Sequence, residues 1–428
     1  MSFERIGIRP ARILLPAASV RPETWACVAC DQYTSEPEVW EKAYAFAGDA
    51  PSALRLILPE YNLESAPRLI PGIHRAMQDY LDRGLLAPAV DPGFILCERT
   101  IPSGTRLGLV CAVDLEEYSY EKGALPLIRP TEQTIASRLP PRLVIRRGAP
   151  IELTHIMILI DDPTRSVLEP LRQEKEGLRK LYDFDLMMNG GHLAGWAVDR
   201  PEHLAHVDRA LNALLDAQEK EEENPLLLAV GDGNHSLATA KAYWNELRET
   251  LPEAQRATHP ARYALCEIVN LHDEALLFEP IHRTLTGTDP AALLAAWRQY
   301  AASRGMTLSE SPSVPAPGPA AHSFTLVSSG PDRVLTVHSP EGAIPCETLQ
   351  RFLDAFLADH PGTGIDYIHG EASLRALAAR PGCVGFLLPE IDKRSFFSDV
   401  RRLGVLPRKT FSMGEADEKR FYMEARRI

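Results

Sequence analysis

Between Leu226 and Leu247 the chain reads LLLAVGDGNHSLATAKAYWNEL: an unbroken apolar run, a polar corner punctuated by glycine, then apolar residues at helical spacing. A run such as Leu226–Val230 without polar alternation predicts a strand covered on both faces. The following segment places Leu237, Ala240, Trp244 and Leu247 on one helical face. A covered strand feeding directly into an amphipathic helix requires a sheet with helices packed on it, so the class is mixed α/β. At the corner, Gly231 and Gly233 allow a positive φ or a close ligand approach, and Ser236 is the expected N-cap. The corner then presents free backbone N–H groups, including those of Asn234 and Ser236, as a natural phosphate or carboxylate site. Asp232 adds a base or metal ligand, and His235 a titratable donor. The plain alternative is a tight strand-to-helix turn closed by an Asx-type hydrogen bond. No Walker loop occurs, and Ser236 stands where the third glycine of a dinucleotide fingerprint would be.

The rest of the chain alternates in the same way. Gly93–Thr100 and Arg106–Leu115 predict two strands of a hairpin, and Thr154–Asp161 a buried strand. Ser166–Phe184 and Glu202–Asn224 carry helical spacing, and Met187–Val198 predicts a hairpin turning at Gly-Gly with His192 beside it. The proline-rich stretch Ser311–Ser323 predicts a linker or a long loop inside a domain. Beyond it come a hairpin over Phe324–Ser339, helices over Cys346–His360 and Glu371–Ala379, and a strand over Cys383–Leu388. With 428 residues, three regions are expected: 1–155, α+β with an arginine-rich segment; 156–310, carrying the GDGNHS corner; and 311–428, α+β.

Composition narrows the function classes. The net charge of −12 argues against a nucleic-acid surface, which needs a basic footprint. The longest apolar runs are too short to span a bilayer, and the N-terminus has no signal-peptide core, so a cytoplasmic location without membrane contact is expected. Seven scattered cysteines read as reduced, mostly packed thiols. Cys27 and Cys30 have redox or zinc spacing, but no second pair completes a zinc site.

Three further clusters carry charge. Ile128–Pro150 gathers Arg129, Glu132, Thr134, Arg138, Arg142, Arg146 and Arg147, which reads either as an anion pocket or as a surface loop pairing with acidic helices. His282 and Arg283 follow a strand-like run, and Arg408, Lys409 and Thr410 follow a proline, where a closing strand could bring a cation to a phosphate. Neither a G-x-S-x-G elbow nor an H-E-x-x-H zinc helix is present, which removes the commonest hydrolase readings.

Taken together, RPTEQT, PPRL, GDGNHSLATAKAYW, PIHRTL and LPRKTFSMGEADEKRFY resemble, in order and spacing, the family called domain of unknown function 1015. The resemblance covers almost the whole chain. In that family the central motif is usually closer to Ala-Asp-Gly-His-His-Arg, similar to the strand–turn–helix of the ParB, sulfiredoxin and free serine kinase group. There the turn handles nucleotide phosphates, and acidic residues serve catalysis and metal binding. By position Asp232 and Gly233 match the Asp-Gly and His235 the second His, whereas Asn234 replaces the first His and Ser236 the Arg. The resemblance therefore implies a ParB-like core and a phosphotransferase acting on a nucleotide and a small hydroxylated or phosphorylated metabolite, serine or phosphoserine first. Asp232, His235 and Glu132 would be catalytic, and Asp232 and Glu132 would hold Mg²⁺. Gly231, Gly233, Asn234, Ser236, Thr134, Arg142, His282, Arg283 and Lys409 would bind phosphate or substrate. A non-catalytic nucleotide-binding regulatory module and a phosphatase of small metabolites are the alternatives.

Overall fold

The computed structural model describes residues 3–311, 321–407 and 409–428. It shows a mixed α/β fold of two compact units. One comprises Met1–Leu277 together with Gly414–Ile428, the other Phe278–Met413. The divisions expected at 155/156 and 310/311 do not coincide with these. Strands on both sides of residue 155 share one sheet, so no domain ends there.

In the first unit twelve described strands form a mixed sheet. From one edge its order is Ile128–Pro130, Leu228–Asp232, Met157–Ile160, Tyr263–Asn270, Gly104–Asp114, Leu86–Ile101, Ala11–Pro16, Ala425–Arg427 and Ile151–Leu153, with short or branching strands alongside. Leu228–Asp232 runs parallel to Ile128–Pro130, and Tyr263–Asn270 parallel to Met157–Ile160. The predicted hairpin forms with Ile101 opposite Gly104. Its strands are apolar without alternation because both faces are covered. Phe94, Leu96, Leu109 and Cys111 enter one core, while Ile95, Cys97, Val110 and Ala112 enter the other.

One local expectation changes. Only Glu169–Gln173 of the stretch Ser166–Phe184 is α-helical; after a 3-10 turn ending at Gly177, Arg179–Asp185 is a strand paired with His192–Val198. Glycine ends the helical turns, and Tyr182 and Phe184 alternate with exposed residues, the period of a strand. His192 begins the second strand of this hairpin, half-buried, and bonds Asp183 and Asp185.

The last strand carries charge into the interior of the first unit. Arg420 donates to Glu267 at 2.5 Å and to Glu424 at 2.7 Å, and Arg426 donates to Glu152 at 2.7 Å. All five side chains are buried. Such ions are tolerated only when paired and hydrogen-bonded, so these contacts set the register in which the C-terminal segment enters the sheet.

The second unit holds seven described strands, with Phe278–Thr286 between Gly364–His369 and Cys383–Leu387. The core includes Trp297 stacked on Phe352 at 4.8 Å, which joins the helices Pro290–Ser303 and Pro345–Asp359. Thr307–Ser311 and Ala321–Val327 both pair with Arg333–His338. The proline-rich stretch thus connects two strands of one sheet; residues 312–320 lie outside the described residues.

Candidate functional site

The strand Leu228–Asp232 ends at Gly233, which takes a left-handed conformation with φ 78° and caps the helix Asn234–Thr250. The N-cap is therefore Gly233, and Ser236, expected there, lies one turn inside. Gly233 fits because its backbone also passes against Ile156, where a Cβ would stand 3.1 Å from the Ile156 Cα. Asp232 Oδ1 accepts the Gly233 N–H at 2.9 Å, and its Oδ2 lies 3.5 Å from Lys419 Nζ. The first-turn amides of Asn234, His235 and Ser236 have no intrahelical acceptor, and Asn234 Oδ1 is buried without a hydrogen-bond partner. The helix N-terminus, Lys419 and Asp232 together make a corner that can hold an oxyanion.

A second loop flanks this corner. Thr131 Oγ1 donates to the Val230 carbonyl at 2.6 Å, and the Ile135 N–H donates to His235 Nε2 at 3.3 Å. The last paired register position is Pro130 opposite Val230, so Glu132 and Asp232 follow the two parallel strands at equivalent positions. Glu132 is half-buried, and Thr134 lies beside the buried Tyr118 hydroxyl. Among the described residues, no group of three or more His, Cys, Asp and Glu side chains is placed to hold a metal ion.

His235 has a defined protonation state. Burial, reinforced by Arg142 and Arg138, lowers its pKa from 6.5 to about 4. Nε2 accepts a backbone N–H, so that nitrogen is unprotonated and Nδ1 carries the proton. At neutral pH the side chain is an uncharged hydrogen-bond donor, neither an imidazolium nor an available base.

The side chain of Ser236 faces a different space from its amide. Its Oγ lies 3.0 Å from His155 Nε2, and His155 Nδ1 lies 2.9 Å from the Tyr422 hydroxyl. Tyr422 also accepts the Cys30 N–H at 3.3 Å. These groups line one end of a cavity of about 150 Å³. Half-buried Cys30 has its thiol pushed up to about 12, mainly by desolvation, so it is no thiolate nucleophile.

The arginine-rich segment is not an open anion pocket. Arg129 is fully buried and donates to the carbonyls of Pro126, Asn224 and Pro225. Arg142 pairs with Glu60, Arg146 with Glu152 at 2.5 Å, and Arg147 with Glu246 at 2.7 Å. In the second unit Arg283 is completely buried, donating to Gln350 at 3.1 Å and lying over the Tyr367 ring at 4.9 Å. His282 is buried, its Nδ1 accepting the Leu388 N–H at 3.2 Å, and burial lowers its pKa. Lys409 is exposed, with φ 60°. The corner thus assembles Asp232, Gly233, Asn234, His235 and Ser236 beside the loop bearing Glu132 and Thr134. Gly231 lies within the strand that leads into it. Lys419 and Tyr422 lie within LPRKTFSMGEADEKRFY, where attention fell on Lys409 instead, and His155 carries no motif that marks it. Only tertiary pairing across the sheet brings them there.

The model of a family described as "Protein of unknown function (DUF1015)" matches residues 8–356. The chain belongs to that family. No curated protein matches this DUF1015 sequence. Among solved structures, the DUF1015 chain is similar to free serine kinase in complex with AMP, at 12% identity and TM-score 0.39, covering 73% of this chain and 90% of that one. A conserved hypothetical protein from Pyrococcus furiosus matches at 11% identity and TM-score 0.37, covering 74% and 94%. SbnI from Staphylococcus aureus with a C-terminal truncation matches at 8% identity and TM-score 0.35, covering 71% and 82%. Likenesses at this level carry no functional argument.

Proposed function

We propose that the protein is a phosphotransferase that moves a phosphoryl group between a nucleotide and a small hydroxylated metabolite, with serine or phosphoserine as first candidates. The observation that supports this reading is the corner itself. A helix N-terminus with unused amides lies beside a pair formed by buried Lys419 and half-buried Asp232, and beside a loop bearing a second carboxylate. Phosphoryl transfer needs mainly positioning and charge neutralisation, which such a corner offers. The amides of Asn234 to Ser236 would cradle phosphate oxygens, and Lys419 supplies the cation that Ser236, in place of the family's Arg, does not. The acceptor hydroxyl oxygen bonds to phosphorus as the bond to the leaving nucleotide oxygen breaks, and the hydroxyl proton passes to Asp232 or Glu132. His235 donates a hydrogen bond through Nδ1–H. Asp232 and Glu132 suit Mg²⁺, which takes one or two carboxylates plus phosphate oxygens and would neutralise charge there. The proposal assigns no role to His282 or Arg283, which are buried and bonded within the second unit.

The test is a panel of nucleotides with serine and phosphoserine, followed by phosphorus NMR, on wild type, Asp232→Ala and Lys419→Met. Turnover that is lost in Asp232→Ala supports the proposal. Nucleotide-induced melting shifts without turnover mean a binding module, and phosphate release without an acceptor means a phosphatase. Activity unchanged in Asp232→Ala, or neither turnover nor a melting shift, overturns the assignment of the corner.

A further inference from the structure

The cavity behind the corner is built differently from the corner. Its body is hydrocarbon, formed by side chains such as Leu58, Met77, Ile145, Ile151 and Leu265. The charged groups at its wall neutralise one another: Glu60 pairs with Arg142, and Glu152 with Arg146 and Arg426. Thr239 uses its hydroxyl on the His235 carbonyl at 2.7 Å. Apart from the weakly polar Cys30 thiol, what remains to meet a ligand is the group formed by Ser236, His155 and Tyr422.

That end has an unused capacity whichever tautomer His155 adopts. If Ser236 donates to His155 Nε2, the lone pairs of its Oγ are left to accept. If Nε2–H donates to Ser236, the serine O–H is left to donate. A hydroxyl group can answer either state, because it donates and accepts. A carboxylate can answer only one, and it would also meet walls whose cations already have carboxylate partners. A cavity of about 150 Å³ with apolar walls takes a body of roughly six heavy atoms, the size of one benzene ring.

We infer that this cavity is a binding site for a small, uncharged, hydroxylated molecule with a single ring or branched hydrocarbon body, its hydroxyl bonded to Ser236 Oγ. The site is separate from the phosphate chemistry proposed for the corner and needs no nucleotide. Ser236 contributes its amide to one and its side chain to the other.

Phenol and toluene make the test, since they share a shape and differ by hydroxyl against methyl. The full chain, labelled at methionine methyl carbons, is titrated with each in the absence of nucleotide, and the Met77 signal is assigned with Met77→Leu. Phenol is expected to shift that signal saturably and to bind roughly fivefold tighter than toluene, the worth of one hydrogen bond. In Ser236→Ala that preference should vanish while toluene binding persists, and Ile145→Trp should fill the space and abolish both. A Met77 signal unmoved by either compound overturns the site. Equal affinity for the two in wild type overturns the role of the hydroxyl without recourse to any variant, as does a phenol preference that survives in Ser236→Ala. Nucleotide turnover plays no part in these readings, so they stand or fall apart from the function proposed for the corner.

Discussion

Replacing Arg420 by Met is the sharpest test of how this molecule holds its site together. Arg420 makes four hydrogen bonds: to Glu267 at 2.5 Å, to Glu424 at 2.7 Å, and to the carbonyls of Thr154 and Phe421 at 2.7 and 2.9 Å. Methionine keeps much of the volume and none of the donors. The carboxylates of Glu267 and Glu424, 3% and 1% exposed, are then left with Arg106 at 3.9 Å and the Tyr182 hydroxyl. Breaking a buried pair by removing one partner costs about 3–5 kcal/mol, out of a total folding stability on the order of 5–15 kcal/mol. The pH dependence has a definite sign. Burial alone would raise the Glu267 pKa, but Arg420 and Arg106 outweigh it and hold it below its ordinary value. In wild type that stabilisation is present above the ordinary carboxylate pKa and lost as pH falls through the depressed folded value. In Arg420→Met burial acts with less opposition, so the carboxyl rises and can take up a proton at mildly acidic pH. Urea unfolding followed by tryptophan fluorescence should therefore show a loss near 4 kcal/mol at pH 7, shrinking by about 1 kcal/mol or more at pH 5. A loss below about 1 kcal/mol at pH 7, or one of equal size at both pH values, would falsify the claim that this arginine neutralises buried charge. The consequence reaches function, because Lys419 precedes Arg420 and Tyr422 follows it. Loosening the anchor should weaken both the corner and the cavity.

Other outcomes follow from the same geometry. The imidazole resonances of His235 should titrate with a midpoint near 4, and a midpoint close to 6.5 would contradict its burial beside Arg142 and Arg138. Because that folded value is depressed, His235 opposes folding increasingly as pH falls from 6.5 toward 4, and folded-state binding at the corner should show no step from this group above pH 5. Gly233→Ala forces a left-handed L-residue against Ile156 and should cost about 1–2 kcal/mol, seen as a lower melting temperature; an unchanged melt refutes the strained turn. In Gly195→Ala the new Cβ would stand 2.2 Å from Tyr182 Cζ, displacing the ring whose hydroxyl holds Glu424. A loss of about 1–3 kcal/mol is expected by calorimetry, and tolerance without loss would mean the ring is free to move.

Local patterns read the elements well and the site only in part. The corner was visible because an apolar run, two glycines and an amphipathic face are all contiguous in the chain. Its cap was misplaced, since serine is a strong N-cap by propensity, whereas the close approach of Ile156 demands glycine. Ser166–Phe184 looked helical because Leu and Lys suit either element, and only pairing with His192–Val198 settles part of it as strand. The arginines of Ile128–Pro150 looked like an anion pocket because their partners, Glu60, Glu246 and the carbonyl of Asn224, are distant in sequence. The same long-range pairing that hid those partners also hid the residues that matter most. Lys419 and Tyr422 end the run LPRKTFSMGEADEKRFY, in which the cation expected to reach a phosphate is Lys409, ten residues earlier. The sheet admits that run because Glu267, Glu424 and Glu152 meet its arginines inside. The buried ion pairs thus give the closing segment its register, and that register decides which side chain faces Asp232 and which faces His155. The chemistry proposed at the corner and the binding proposed in the cavity both depend on one correctly seated C-terminal segment.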